Sequence, residues 1–211
     1  MQSRSIIYAC FSLLAFCTLP VGCDRANPRQ SSHHDELNHF DGVIDNSDFT
    51  YDTFKSDLYV RAGQHLKDGD VDAAKVLYKK AIEKYPDDPV GFTALGTSFC
   101  FEHNYEDAQT QYLRALEVDA SCASAYYGLG CVAYEQQQYD LAIDYLSKAL
   151  DIAEADGDCH RVLGMAFDAN GDVPRAIAHY ERTLALNPND DSVRNRLRRL
   201  VQQLPNRITK P

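Results

Sequence analysis

The sequence predicts an all-α solenoid of four 34-residue helix–turn–helix units followed by one capping helix. Two patterns inside residues 123–156 define the unit. Tyr126, Leu129, Gly130 and Ala133 fall at i, i+3, i+4 and i+7, which is one face of a helix. Leu141, Ala142, Tyr145, Leu146, Ala149 and Leu150 form a second such face, and Gln136, Gln137 and Gln138 make a polar turn between the two. A third observation is recurrence. Ala142 has Ala74, Ala108 and Ala176 at steps of 34 residues, Gly130 has Ala62, Gly96 and Gly164, and Leu146 has Tyr78, Tyr112 and Tyr180. A pair of short helices cannot bury its apolar faces alone, so the units must stack.

Residues 1–23 form a targeting segment. Arg4 gives a positive start, and residues 6–19 are a 14-residue apolar run, too short for a membrane-spanning helix. The run leads to Gly22-Cys23, and a small residue directly before a Cys resembles the cleavage box of bacterial lipoprotein signal peptides. Pro20 stands where that family prefers Leu. The resemblance implies that Cys23 becomes the acylated first residue and holds the chain to a membrane of the bacterial envelope, facing the periplasm or the exterior. The alternative is a secreted soluble protein or an uncleaved anchor.

Residues 24–54 are polar with scattered apolar residues and read as a linker. His33, His34 and His39 lie there in no fixed ligand spacing. The four units then run 55–88, 89–122, 123–156 and 157–190, with turns at Asp68-Gly69-Asp70, His103-Asn104, Gln136 to Gln138 and Asn170-Gly171-Asp172. After 190 the period stops. Val193, Leu197, Leu200, Val201 and Leu204 make one more amphipathic helix, 191–204, ended by Pro205, and 205–211 is a tail. Arg194, Arg196, Arg198 and Arg199 occupy its other face, either solvated or turned to anionic lipid or an acidic partner.

The repeats resemble the tetratricopeptide repeat family. Its pattern of an aromatic, Leu-Gly, an aromatic, Ala, an aromatic, Ala and a closing Pro is matched in unit two by Phe92, Leu95-Gly96, Phe99, Ala108, Tyr112 and Ala115. Unit four matches it with Leu163-Gly164, Phe167, Ala176, Tyr180 and Pro188. His160 stands at the first aromatic slot of unit four and reads as a packed core histidine. The resemblance implies a right-handed superhelix whose first helices line a concave face. Carried over position by position, the implied peptide groove contains Tyr59, Leu66, Val90, Thr97, Phe101, Tyr127, Tyr134, Arg161 and Met165. Tyr59 and Gly63 replace the Lys/Asn clamp with which chaperone co-factors of this family hold acidic tails.

Charge excludes one class of partner. Residues 24–190 carry 14 Lys/Arg and 30 Asp/Glu, a net −16, which repels nucleic acid; residues 191–211 carry six Lys/Arg and one Asp, a net +5. No glycine loop for phosphate, metal-ligand motif or nucleophile elbow is present, so no cofactor, no small-molecule substrate and no enzymatic activity is expected. Cys100, Cys122, Cys131 and Cys159 remain in the array. Bridges Cys100–Cys131 or Cys122–Cys159 would join neighbouring first helices; buried thiols are the other outcome. The functional expectation is an extracytoplasmic, membrane-anchored scaffold that binds a protein or peptide partner. The alternative is an assembly subunit that associates with itself.

Overall fold

The computed structural model describes residues 46–153 and 156–208. The expected signal segment with Cys23, and the linker as far as residue 45, lie outside the described residues, as does the tail from 209. Among the described residues every element is a helix. In order they are α1 (Asn46–Lys67), α2 (Val71–Lys84), α3 (Pro89–Phe101), α4 (Tyr105–Val118), α5 (Ala123–Glu135), α6 (Tyr139–Ile152), α7 (Gly157–Ala169), α8 (Val173–Leu186) and α9 (Asp191–Ile208). Each packs on the next, and the first helices of neighbouring units also touch, α3 with α5 and α5 with α7. The result is the expected solenoid. Two boundaries differ from expectation. The first helix begins at Asn46, ahead of residue 55, and the last does not end at Pro205 but runs to Ile208.

Four identical turns join the helices of each unit. At the end of α1, Gly69 N–H donates to Leu66 and Asp70 N–H to His65; at the end of α7, Gly171 donates to Asp168 and Asp172 to Phe167. The same pair of bonds follows α3 and α5, from His103 and Asn104 and from Gln137 and Gln138. This is the Schellman motif, which needs a left-handed residue. Gly69 and Gly171 supply it at φ 83° and 85°, whereas His103 and Gln137 adopt φ 58° and 62° against the preference of L-residues. The following residue caps the second helix: the side chains of Asp70, Asn104 and Asp172 accept from backbone N–H groups, while Gln138 makes no such bond. The polar turn of unit three is therefore the least well built.

Within each unit the helices meet at a small residue. A Cβ on Gly96 would lie 2.9 Å from Tyr112 Cε1, one on Gly130 2.6 Å from Leu146 Cγ, and one on Gly164 2.8 Å from Tyr180 Cδ1. Ala62 takes the same slot in unit one and is completely buried. The alanines at 74, 108, 142 and 176 are all fully buried as well. Between units, Gly128 of α5 receives the Tyr112 ring of α4, where an added Cβ would come within 2.3 Å of Cζ. So one tyrosine is clasped by a glycine of its own unit and a glycine of the next.

The last helix continues the register of a first helix. Leu197 lies 34 residues after Leu163. Val193 and Leu200 are buried on the core of unit four, with Leu197 packed partly against it, so α9 does cover that end. Val201 stays 48% exposed. Where Gly164 admits Tyr180, α9 carries Arg198, too large to let a second helix approach.

Two glycine variants test this packing with opposite signs. Gly128→Ala gains helix propensity, about 1 kcal/mol, but must displace a buried ring whose hydroxyl is tied to Thr97. It should destabilise the array by a net ~1–3 kcal/mol in urea denaturation. Gly63→Ala, whose Cβ meets nothing within 4 Å, should stabilise it by about 0.5–1 kcal/mol. Equal effects at the two sites would contradict the packing described.

Candidate functional site

The inner face of the first helices is more densely used than the sequence suggested. Three expected groove residues are interior. Tyr127 and Leu66 are 2% exposed and Met165 is 5% exposed. Tyr127 and Met165 belong to one core cluster with Cys131 and Val162, and Leu66 to another with Ala62, Tyr78 and Leu95. These three cannot offer surface to a ligand, because successive first helices approach closely enough to bury them between units.

Two more are committed to internal bonds. The Tyr59 hydroxyl donates to Asp88 Oδ2 at 2.6 Å. Asp88 also accepts from the Val90 N–H, capping α3, and pairs with Lys55 at 3.0 Å. Burial and that carboxylate push the Tyr59 phenol far up. Arg161 repeats the device in unit four. It holds Asp158 at 3.0 Å and reaches Asp190 at 4.0 Å, and Asp190 caps α9 through the Val193 N–H. In units one and four the fifth residue thus reaches the acid that starts the next first helix; after unit three, Asp156 caps α7 through the Asp158 and Cys159 N–H groups. Carboxylates at 88, 156 and 190, spaced by multiples of 34, were the sequence signal for this clasp and went unread. In the second unit the slot holds Cys122, which makes no cap bond.

What remains accessible is spread along the first helices, from Val90 in the first turn of α3 to Phe101 at its end and Tyr134 near the end of α5. Val90, Thr97, Phe101 and Tyr134 are half-buried. Thr97 shares a hydrogen bond with the Tyr112 hydroxyl at 3.1 Å. Tyr134 packs on Tyr139 with ring centroids 5.6 Å apart. Beside it on α5 is Glu135, the thirteenth residue of its unit and another position that the family resemblance turns to the inner face. Its Oε1 is buried and accepts no hydrogen bond, and burial raises its carboxyl pKa. One of the arginines expected on an outer face turns inward: Arg196 of α9 pairs with Asp168 at 3.6 Å. Burial raises the Tyr180 phenol, and Arg196 acts against that rise. Arg198 and Arg199 stay exposed.

Among the described residues the cysteines form no bridges. Cys100, Cys122, Cys131 and Cys159 are buried thiols. Cys159 donates to the Leu146 carbonyl at 3.4 Å, and burial pushes its pKa far up, as expected of a thiol that stays protonated.

His160, expected as a core histidine, is only half-buried and packs against a partner the sequence did not reveal. Its Nδ1 lies 3.0 Å from Nδ1 of His179 on α8. His179 stacks on Phe167 at 5.3 Å, and the Arg175 guanidinium lies over the Phe167 ring at 4.4 Å. Burial, with His160 and Arg175 nearby, lowers the His179 pKa from 6.5 to about 4.

Comparison with known proteins bears on the architecture. Three models, each described as tetratricopeptide repeat, match residues 57–88, 93–158 and 133–204, together more than half the chain. The chain is a tetratricopeptide-repeat protein. Among solved structures, Pseudomonas aeruginosa pilF superposes with a TM-score of 0.69 at 24% identity, covering 75% of this chain and 72% of that one. YrrB, described as having an unusual peptide-binding site, gives 0.56 at 20% identity over 69% and 75% of the two chains. At these identities the likeness is one of fold. The rice protein described as a probable UDP-N-acetylglucosamine–peptide N-acetylglucosaminyltransferase, SPINDLY, is 43% identical over 72 residues. That is 34% of this chain and 7% of the rice protein, so the match spans a small part of that relative.

Within this tetratricopeptide array the His160–His179 contact ties stability to pH. An unfolded His179 binds a proton near pH 6.5, whereas the folded one resists until about 4. The unfolded chain therefore binds more protons in that window, and stability, fully present above it, falls as pH drops through it. Urea denaturation should show wild type losing on the order of 1–2 kcal/mol more than His179→Gln between pH 7 and 4.5, allowing for partial exposure. Parallel losses in the two proteins would assign the pH dependence elsewhere.

Proposed function

We propose that this chain is a membrane-anchored, extracytoplasmic scaffold that binds a protein or peptide segment along the inner face of its first helices, in assembly of an envelope or secretion complex. The observation that carries the binding site is Glu135, whose buried carboxylate oxygen accepts no hydrogen bond; Tyr134 precedes it on α5, and Phe101 ends the neighbouring first helix, both half-buried. A buried acceptor without a partner costs stability, which a cationic donor from a ligand would restore. Aromatic rings supply large contact area with little ordering cost. The ligand is thus a segment carrying an apolar residue next to Lys or Arg, and the acidic body of the array speeds its approach. Solved proteins of this fold support the reading in kind: one is described as having a peptide-binding site, another as bound to the HSP90 peptide SRMEEVD. For the anchor, the support is the short apolar run ending in Gly22-Cys23, with Cys23 as the acylated residue.

The test uses the full chain recovered from membranes. Phe101→Ala with Tyr134→Ala should lower partner capture from envelope extract by about 30-fold with unchanged helicity by circular dichroism. Glu135→Gln should weaken basic ligands selectively. Cys23→Ala should move the protein from the membrane to the soluble fraction. Equal capture by wild type and double variant would remove the groove from the account, and a soluble wild-type protein would remove the anchor.

A further inference from the structure

The first helices of the four units end on a graded chemical series. Lys67, Phe101, Glu135 and Ala169 are the last residues of α1, α3, α5 and α7 and lie 34 residues apart. The same Schellman turn follows each of them, with the N–H of the left-handed residue donating to Leu66, Cys100, Tyr134 and Asp168. The four side chains therefore leave equivalent points of the stack, at the position that the family resemblance turns to the inner face. Lys67 is exposed. Phe101 is half-buried and packs on the core cluster that holds Leu66, so the first two rungs adjoin. Glu135 is half-buried and keeps the oxygen that accepts no hydrogen bond. Burial raises its carboxyl pKa, and His103 of the second unit's turn opposes that rise. On the fourth rung Ala169 offers only a methyl group, and Asp168 before it is held by Arg196.

We propose that these rungs read a linear protein segment in which an acidic, an apolar and a basic residue stand three apart in that order. The inference rests on the inner-face site proposed above and specifies its ligand. Lys67 takes the Asp or Glu, Phe101 the apolar side chain and Glu135 the Lys or Arg. Helix packing sets the spacing. Packed helices lie about 8–10 Å apart, and a polyproline II segment turns once in three residues, about 9 Å. Residues i, i+3 and i+6 of such a segment share one side. In a β-strand, residues three apart point to opposite faces, so a strand would not fit the ladder. Charge sets the order, since a segment with its two charges exchanged would place like charges together at both ends. The rungs differ in strength. The pair at Lys67 is exposed and weak, whereas a cation reaching Glu135 satisfies a buried acceptor. Recognition is thus anchored at unit three and oriented at unit one.

The test is fluorescence anisotropy of labelled heptapeptides added to the full chain at low salt. The probes are Glu-Pro-Pro-Leu-Pro-Pro-Lys and the same sequence reversed, because the rungs order the side chains whichever way the backbone runs. Proline holds both probes extended. The tighter of the two should bind about tenfold better than Leu-Pro-Pro-Glu-Pro-Pro-Lys, which has the same composition out of order. Glu135→Gln should weaken the ordered probe about tenfold. Lys67→Glu, a change at an exposed site, should weaken it about fivefold, and a probe with Lys in place of Glu should recover that loss. Equal affinity for ordered and disordered probes, or no response to Lys67→Glu, overturns the ladder. Partner capture by the protein carrying Phe101→Ala and Tyr134→Ala then separates the two readings. If capture still falls, the inner-face site stands and the ladder alone is wrong; if capture is unchanged, both are wrong.

Discussion

Within each unit the two helices can cross only because the eighth residue of the unit, on its first helix, carries at most a methyl group. Ala62, Gly96, Gly130 and Gly164 lie directly under Tyr78, Tyr112, Leu146 and Tyr180, the first of these slots filled by a fully buried alanine. The large side chain fills the space that the small one leaves, at the density expected of an interior. Every later feature inherits that crossing. It brings the end of each second helix against the next first helix, where Tyr112 meets Gly128. It sets successive first helices close enough to bury Tyr127 and Met165 between them. At the end of the array Arg198 breaks the pattern, and α9 receives no second helix among the described residues.

The same closeness decides what surface is left for a partner. Interior positions of the inner face hold units together: Tyr59 reaches Asp88, and Arg161 reaches Asp190. The side chains that remain available, Val90, Thr97, Phe101 and Tyr134, are half-buried on the first helices that also carry Glu135, whose carboxylate oxygen accepts no hydrogen bond. In the proposed reading, stability and recognition use different residues of one face. A stack in which each unit touches only its neighbours passes a local defect, such as the uncapped turn at Gln138, to one joint at a time.

The fold was legible because its determinant is a period. Small and large residues at fixed offsets repeat, and nothing else in 34-residue steps satisfies helical packing so simply. Helix ends were less legible. The start at Asn46 and the run past Pro205 depend on local packing and have no repeat to mark them. The site was legible only in part. Family position assigned Tyr127, Leu66 and Met165 to the inner face, but a position in the repeat does not give depth, and these three are buried. The contact of His160 with His179 joins residues 19 apart on two helices, which no single-helix periodicity displays. The lipid anchor and the compartment rest on residues outside those described.

A double-mutant cycle between Gly130 and Leu146 measures the governing contact most directly. In the native array Gly130→Ala sets a Cβ 2.6 Å from Leu146 Cγ and should cost about 1–3 kcal/mol. In a Leu146→Ala background the obstruction is gone, and the same substitution should stabilise by up to about 1 kcal/mol through helix propensity. A change of sign between the two backgrounds is the predicted result. The same effect in both would mean that the crossing is set elsewhere, and the account of the array built on it would fail.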